Sequence, residues 1–360
     1  MTAAKPAGAA VAPRARSARP RTVTAWSESS GWPSRLWRVS SSPTRSRDPA
    51  HQAVAAAPDS TYTFGDTDVE AARLALVSEV FGPTSEELLT QAVERPPMLA
   101  YDLGCGPGHT TRLVAKATGA TLTVGLDRSE AHLARARAGA PAGVRFATWD
   151  AGDLPFPAGP ADLAYARLLL AHLEDPVAVA SSWATQLDVG GLLVVDELEW
   201  IATDHPVLQA HLHLASSLVA TTGAQMCAGP LLTGIGDAPG LRRRLLRVVA
   251  LPVPTAAAAA MFEMSLDAWG EGIVAAGLCD RSELFELTSA LSALRGSPAT
   301  GEITWGLHQA AYEVLAPGAR ATRPCALPPA TGQPGARSAE GTENDPEEGP
   351  GGSARRNHGL

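Results

Sequence analysis

Residues 98–111 read Met98-Leu99-Ala100-Tyr101-Asp102-Leu103-Gly104-Cys105-Gly106-Pro107-Gly108-His109-Thr110-Thr111. An apolar run ends in an acid, glycines follow at every second position, and a helical pattern starts from Thr110. The stretch predicts a buried strand, a tight turn and the start of a helix. Glycine lacks a Cβ and tolerates positive φ, so such a turn lets backbone approach a ligand closely. Spacing then separates ligand classes. The dinucleotide fingerprint G-x-G-x-x-G needs its third glycine at position 109. His109 stands there instead, and the third glycine is Gly108, giving G-x-G-x-G.

Downstream the pattern alternates. Strands are predicted at 98–103, 121–126, 143–148, 161–166 and 192–196, with helices at 108–117, 129–138 and 176–187. Strands alternating with helices imply a parallel, doubly wound α/β sheet whose ligand sits at the carboxyl ends of the strands. Upstream, Val69, Ala72, Leu74, Leu76, Val77, Val80, Phe81, Leu88 and Leu89 recur at helical spacing, and Gly82-Pro83 divides them into two helices. After Asp196, residues 204–235 and 254–295 read as mostly helical, with a β-like stretch from Leu245 to Val253 between them. Residues 302–312 read as a last edge strand. The simplest assembly is an α/β core with a helical cap (204–295) after the fifth strand.

The ends of the chain differ from its middle. Residues 1–60 are rich in Ala, Pro, Ser and Arg, with nine basic residues against three acidic ones. Residues 316–360 are Pro/Gly/Ala/Ser/Glu-rich. Both are expected to be disordered, one a basic leader and the other a tail. The leader superficially matches an organellar transit peptide, but reads better as a solvated tail or a start codon placed too early. The middle carries 15 basic and 29 acidic residues, which argues against a nucleic-acid substrate. No run of 18 apolar residues predicts a membrane span, and no secretory h-region is present. Cys105, Cys227, Cys279 and Cys325 lack C-x-x-C spacing, so neither a zinc site nor a disulfide framework is expected, and the cytoplasm is the default location.

Polar residues close the predicted strands and face one crevice. Asp102 ends the first and Asp127 the second, while Asp150-Ala151 follows the third. An acid 20–25 residues beyond the turn is placed to take both hydroxyls of a ribose. Asp150-Ala151 offers a carboxylate beside a backbone N–H, the pair of contacts that reads an adenine edge. Three acids with a short glycine turn suit a cationic nucleoside without phosphates.

Asp102-Leu103-Gly104-Cys105-Gly106-Pro107-Gly108 resembles motif I, D/E-x-G-x-G-x-G, of the class I S-adenosylmethionine-dependent methyltransferases. Asp127 falls at that family's ribose acid, and Asp150-Ala151 with Asp153-Leu154-Pro155-Phe156 matches its adenine segment. Residues 161–176 are similar to the fourth-strand motif of its small-molecule members, and Gly190-Gly191-Leu192-Leu193-Val194-Val195-Asp196 to the strand after it. The ordered set spans about residues 61–315. The resemblance implies a seven-stranded, mostly parallel Rossmann-like sheet, S-adenosylmethionine as cofactor, and Asp102, Gly104, Cys105, Gly106, Gly108, Asp127, Arg128, Asp150, Ala151 and Arg167 around it. Tyr62-Thr63-Phe64-Gly65, Glu70, Arg73-Leu74 and Trp305-Gly306-Leu307-His308-Gln309 resemble a bacterial subgroup near the ubiquinone/menaquinone-biosynthesis and natural-product methyltransferases. In that subgroup N-terminal helices form a lid, which implies that Tyr62 and Arg73 reach the methionine end of the cofactor.

Several roles stay open at this level. Arg73 either pairs the cofactor carboxylate or forms an internal ion pair. Arg167 either contacts the cofactor or caps the sheet edge. Asp102 either touches the cofactor or orients the turn. His172, just after strand four, is the candidate base, with Asp196 and Glu197 similarly placed. His205, His211 and His213 read as surface or cap residues and complete no metal site. Trp149, Trp200 and Trp269 either line a substrate pocket or pack in the core, with packing the preferred reading. The function expected is methyl transfer to a small acceptor of quinol, phenol or natural-product type. The alternatives are a non-catalytic S-adenosylmethionine-binding module and an NAD-dependent oxidoreductase, the latter opposed by His109 and Asp150-Ala151. A small-molecule acceptor, no nucleic acid and no membrane are the partners expected.

Overall fold

β1 (Leu99–Leu103) is the apolar run ahead of the glycine turn, and every residue in it after Leu99 is buried. In the computed structural model β1 is central. It pairs in parallel with β2 (Leu122–Asp127) on one side and β4 (Ala161–Arg167) on the other. β3 (Val144–Thr148) lies beyond β2, and β5 (Leu187–Ala202) beyond β4, both parallel. β7 (Glu302–Val314) is antiparallel to β5, and β6 (Leu241–Pro254) is antiparallel to β7. The order is therefore β3-β2-β1-β4-β5-β7-β6, the seven-stranded, mostly parallel, doubly wound sheet expected. Strand order reverses between β1 and β4, which opens a crevice at their carboxyl ends.

The structure describes residues 67–316 except 174, 239 and 298–300, all within the first of two units, Met1–Ala321. The expected leader, Tyr62 with its neighbours, and the tail beyond 316 lie outside the described residues. No helix among the described residues is long and apolar enough to cross a membrane.

Helices cover both faces. α1 (Asp68–Ala92) starts at the Thr67 cap, and α2 (His109–Thr118) begins directly after the turn. α3 (Glu130–Arg137) is capped by the Ser129 hydroxyl and α4 (Pro176–Trp183) by the Asp175 carboxylate. α5 (Pro206–Ala220) follows β5. α6 (Thr255–Ala275) and α7 (Arg281–Arg295) lie between β6 and β7, and α7 opens on a capping box formed by Asp280 and Glu283.

Two expectations change. α1 is one helix, not two: Pro83 lies inside it, and the hydroxyls of Thr84 and Ser85 donate to the Phe81 carbonyl at 2.9 and 3.2 Å. Burial of Val77, Phe81, Leu88 and Leu89 outweighs the local break. β7 is an interior strand and β6 is the edge. β6 fits that position because Arg242 and Arg244 pair with Glu313, each at 2.6 Å, and charge discourages a further strand from adding there. Within the cap, β6 falls where the β-like stretch at 245–253 is expected and separates α5 from α6 and α7.

The close approach of β5 to β7 requires Gly306. Trp200 lies across it, and a Cβ there would enter the van der Waals envelope of the indole. Gly306→Ala is expected to cost about 1–3 kcal/mol through overpacking. The check is a urea titration, in which the midpoint should fall with the slope unchanged.

Candidate active site

The turn between β1 and α2 depends on three glycines with positive φ: Gly104 at 67°, Gly106 at 50° and Gly108 at 82°. Asp102 beneath them is 1% exposed, and one of its carboxylate oxygens accepts from the hydroxyls of Thr110 and Thr111, each at 2.6 Å. This carboxylate orients the turn and the first residues of α2. Burial pushes its carboxyl up to about 6, opposed by the two hydroxyls and by the Arg167 charge. At the end of β2, Asp127 accepts from the Gly106 N–H with one oxygen and from the Ser129 N–H with the other, both at 2.8 Å. Its acid therefore faces the turn.

The exit of β4 is held as firmly. Leu168 has a φ of 53°, a costly conformation for a branched side chain, and its N–H donates to the Asp196 carbonyl at 3.0 Å. The next two amides, of Leu169 and Leu170, donate to one oxygen of Glu197 at 2.7 and 2.8 Å. Glu197 is fully buried, and burial pushes its carboxyl up to about 8 against the pull of those amides. The adjacent Asp196 takes Ser85 of α1 at 2.6 Å and Gln309 of β7 at 3.1 Å, tying both elements to the sheet. Neither acid lines the cavity, so both act on loop and sheet geometry rather than as catalytic groups.

A cavity of about 220 Å³ opens above these strand ends. Gly104, Cys105, Gly106, Asp127 and Arg167 form one end. α1 contributes Arg73, Leu74, Val77 and Phe81 along a side, as a lid would. The far end is an apolar chamber between α5 and α6, with Phe262, Trp269 and Met261 on its wall. His172 also faces the cavity, on a 3₁₀ turn at Leu170–His172. Burial pushes its imidazole down to about 4, with the Arg73 and Arg128 charges adding to the effect.

The residues expected from sequence therefore divide. Arg73, Gly104, Cys105, Gly106, Asp127, Arg167 and His172 share the cavity wall. Asp102 and Gly108 lie behind the wall and shape it, with Gly108 at the N-cap of α2. Arg128 and Asp150 are exposed and off the wall, and Ala151 gives its carbonyl to the Trp183 indole at 2.6 Å. Asp150 stays near Asp127 nonetheless, because the Trp149 N–H donates to the Asp127 carbonyl at 2.9 Å. Arg73 forms the internal pair, with two bonds to buried Glu70 at 2.8 and 2.5 Å.

His211 reverses its expectation. It is 2% exposed, lines the cavity, and stacks on Phe262 with ring centroids 4.0 Å apart at 12°. Its register on the apolar stripe Leu208, Ala215, Leu218 marks it as inward-facing, whereas His213 is exposed. Trp269 lines the cavity as well, 5.4 Å from the His211 ring.

Comparison with known proteins gives matches of matching kind. The family described as a methyltransferase domain matches residues 100–191. Trans-aconitate 2-methyltransferase of Methylobacterium radiotolerans is 34% identical over 163 residues, covering 45% of this chain and 56% of that one. Its counterpart from Agrobacterium fabrum is 34% identical over 115 residues, covering 31% of this chain and 43% of that one. The chain thus spans about half the length of the curated relatives it matches. Among solved structures, the YcgJ protein of Bacillus subtilis shares 18% identity at a TM-score of 0.44, covering 66% of this chain and 100% of its own.

Glu197 makes stability depend on pH. Its carboxyl titrates near 8 when folded, against an ordinary value of 4.5, so folding takes up a proton between those limits. The stability this supplies is fully present below about 4.5 and is lost as pH rises through about 8. Glu197→Gln keeps an acceptor for the two amides and cannot ionise. Its urea midpoint is expected to fall less than the wild-type midpoint between about pH 4.5 and 8.

Proposed function

We propose, because residues 100–191 match a methyltransferase domain, that this chain is a class I S-adenosylmethionine-dependent methyltransferase and transfers the methyl group of S-adenosylmethionine to a small apolar acceptor. One observation carries the reading. A single cavity joins the glycine turn and Asp127 at one end to an apolar chamber at the other, so a donor and an acceptor have adjoining places.

The residues present fit this cofactor. Each Asp127 oxygen accepts one amide and keeps a second lone pair for a ribose hydroxyl. The positive-φ backbone at Gly104 and Gly106 leaves that wall without side chains. Asp127 on the wall and Asp102 behind it favour a cation over a pyrophosphate. Asp150-Ala151, the pair expected at the adenine, lies off this wall, whereas Arg167 stands on it. Bound there, the cofactor supplies a methyl group already activated as a sulfonium. The chain's contribution is alignment and exclusion of water, an effect worth up to about 7–11 kcal/mol. His172 is neutral near pH 7 and holds a captured proton weakly, so it serves as a base only for an acceptor whose proton leaves readily.

Calorimetry tests the reading. S-adenosylhomocysteine should bind and NAD should not, and Asp127→Ala should weaken binding at least about tenfold, the scale of one charged hydrogen bond. Binding of NAD without the thioether would overturn it. Release of S-adenosylhomocysteine during turnover on a panel of phenols, quinols, amines and acids separates an enzyme from a binding module.

A further inference from the structure

We infer that the chamber beyond the cofactor end takes an uncharged, planar acceptor bearing a hydroxyl, and that His211 is the residue that reads that hydroxyl. The inference rests on the methyltransferase reading for the chamber's role, but its evidence is the chamber itself.

The Nδ1 atom of His211 is buried and has no hydrogen-bond partner, although the ring lines an open cavity. That buried nitrogen is closed to a ligand, so a hydroxyl in the cavity meets the imidazole at its other ring nitrogen, Nε2, which can accept or donate. Stacking on Phe262 fixes the ring plane, so the polar edge has one orientation. The neighbouring polar group is already used: the Ser265 hydroxyl donates to the Met261 carbonyl at 2.9 Å.

Charge decides between a neutral and an acidic acceptor. The cavity has two guanidinium groups, and both face carboxylates. Arg73 is paired with Glu70 although its charge still reaches His211, and Arg167 acts on Asp102 and Asp196. Burial, with the Arg73 charge beside it, pushes His211 down to about 3, so it presents no positive charge. A carboxylate entering this chamber would lose its hydration and find only guanidinium groups that already face carboxylates. The wall suits a flat ring instead: Phe262, Trp269 and Trp305 surround the site, and Phe262 and Trp305 meet edge to face at 6.2 Å. The acceptor of the trans-aconitate methyltransferases is therefore the wrong chemistry for this chamber.

The test uses full-length protein saturated with S-adenosylhomocysteine. Binding is followed by quenching of tryptophan fluorescence, to which Trp269 and Trp305 contribute. The probes are 4-methylphenol, toluene, 4-methylbenzoate and trans-aconitate. Wild type should bind 4-methylphenol at least about tenfold more tightly than toluene, the scale of one buried hydrogen bond, and both acids more weakly than either. His211→Phe keeps the stacked ring and should bring the phenol down to the toluene affinity while leaving toluene within about twofold. His211→Asn, which retains a donor and an acceptor, should restore part of the preference. The inference is overturned if wild type does not prefer the phenol, if either acid binds most tightly, or if His211→Phe leaves the preference intact. The wild-type ranking decides even if a variant does not fold. Failure of S-adenosylhomocysteine itself to bind in calorimetry would count against the methyltransferase reading, whereas normal thioether binding with no phenol preference counts against this inference alone.

Discussion

The site depends first on a buried negative charge. The Asp102 carboxylate, beneath the turn, gathers the hydroxyls of Thr110 and Thr111 at 2.6 Å and so fixes where α2 begins relative to β1. With that start fixed, Gly106 presents its amide to Asp127 at 2.8 Å, and the ends of β1 and β2 are locked to each other. Removing one partner from a buried charged network strands the other, so its geometry is held more tightly than the net energy of the bonds suggests. A second buried acid does the same for β4. Glu197 holds the amides after Leu168, which keeps that residue at positive φ and sets Leu169 against Gly104.

These acids and the cavity imidazoles shift in opposite directions for one reason. Asp102 and Glu197 are pushed up, and His172 and His211 down, and burial is the largest cause in all four. Each shift favours the uncharged form, as expected where water is excluded. The cavity is thus an apolar well with its charges compensated locally. The histidines lose stability as pH falls from 6.5 toward their folded values of about 4 and 3, while Glu197 loses it as pH rises through about 8. Such an environment strengthens any remaining electrostatic contact with a ligand.

Local patterns were readable where the local signal and the tertiary structure agree. The glycine turn, the acid closing β2 and the alternation of strand and helix each follow from residues a few positions apart. The misreadings involve partners distant in sequence. β7 contains Gly306, His308 and Gln309, which suggest an edge; yet Trp200 covers the glycine, Glu199 meets His308 at 2.9 Å and Asp196 meets Gln309 at 3.1 Å. Those three partners all come from β5, more than a hundred residues earlier. Pro83 signals a break that packing of α1 onto the sheet overrides. His211 and His213 form a His-x-His pair that points to two faces, and only the apolar stripe Leu208, Ala215, Leu218 tells the inward ring from the outward one.

The same division runs through the likeness to methyltransferase domains. The methyltransferase-domain match covers residues 100–191, which contain the turn, Asp127 and β4. It ends within β5, before α5 and before α6 and α7, the helices inserted between β6 and β7. His211, Phe262 and Trp269 all belong to that later part. Under the proposed reading the donor would lie against the turn and Asp127 of the matched segment together with Arg73 of α1, and the acceptor against side chains of α5 and α6 beside His172. That acceptor would meet side chains the domain match does not reach, so the match bears on the donor more than on the acceptor.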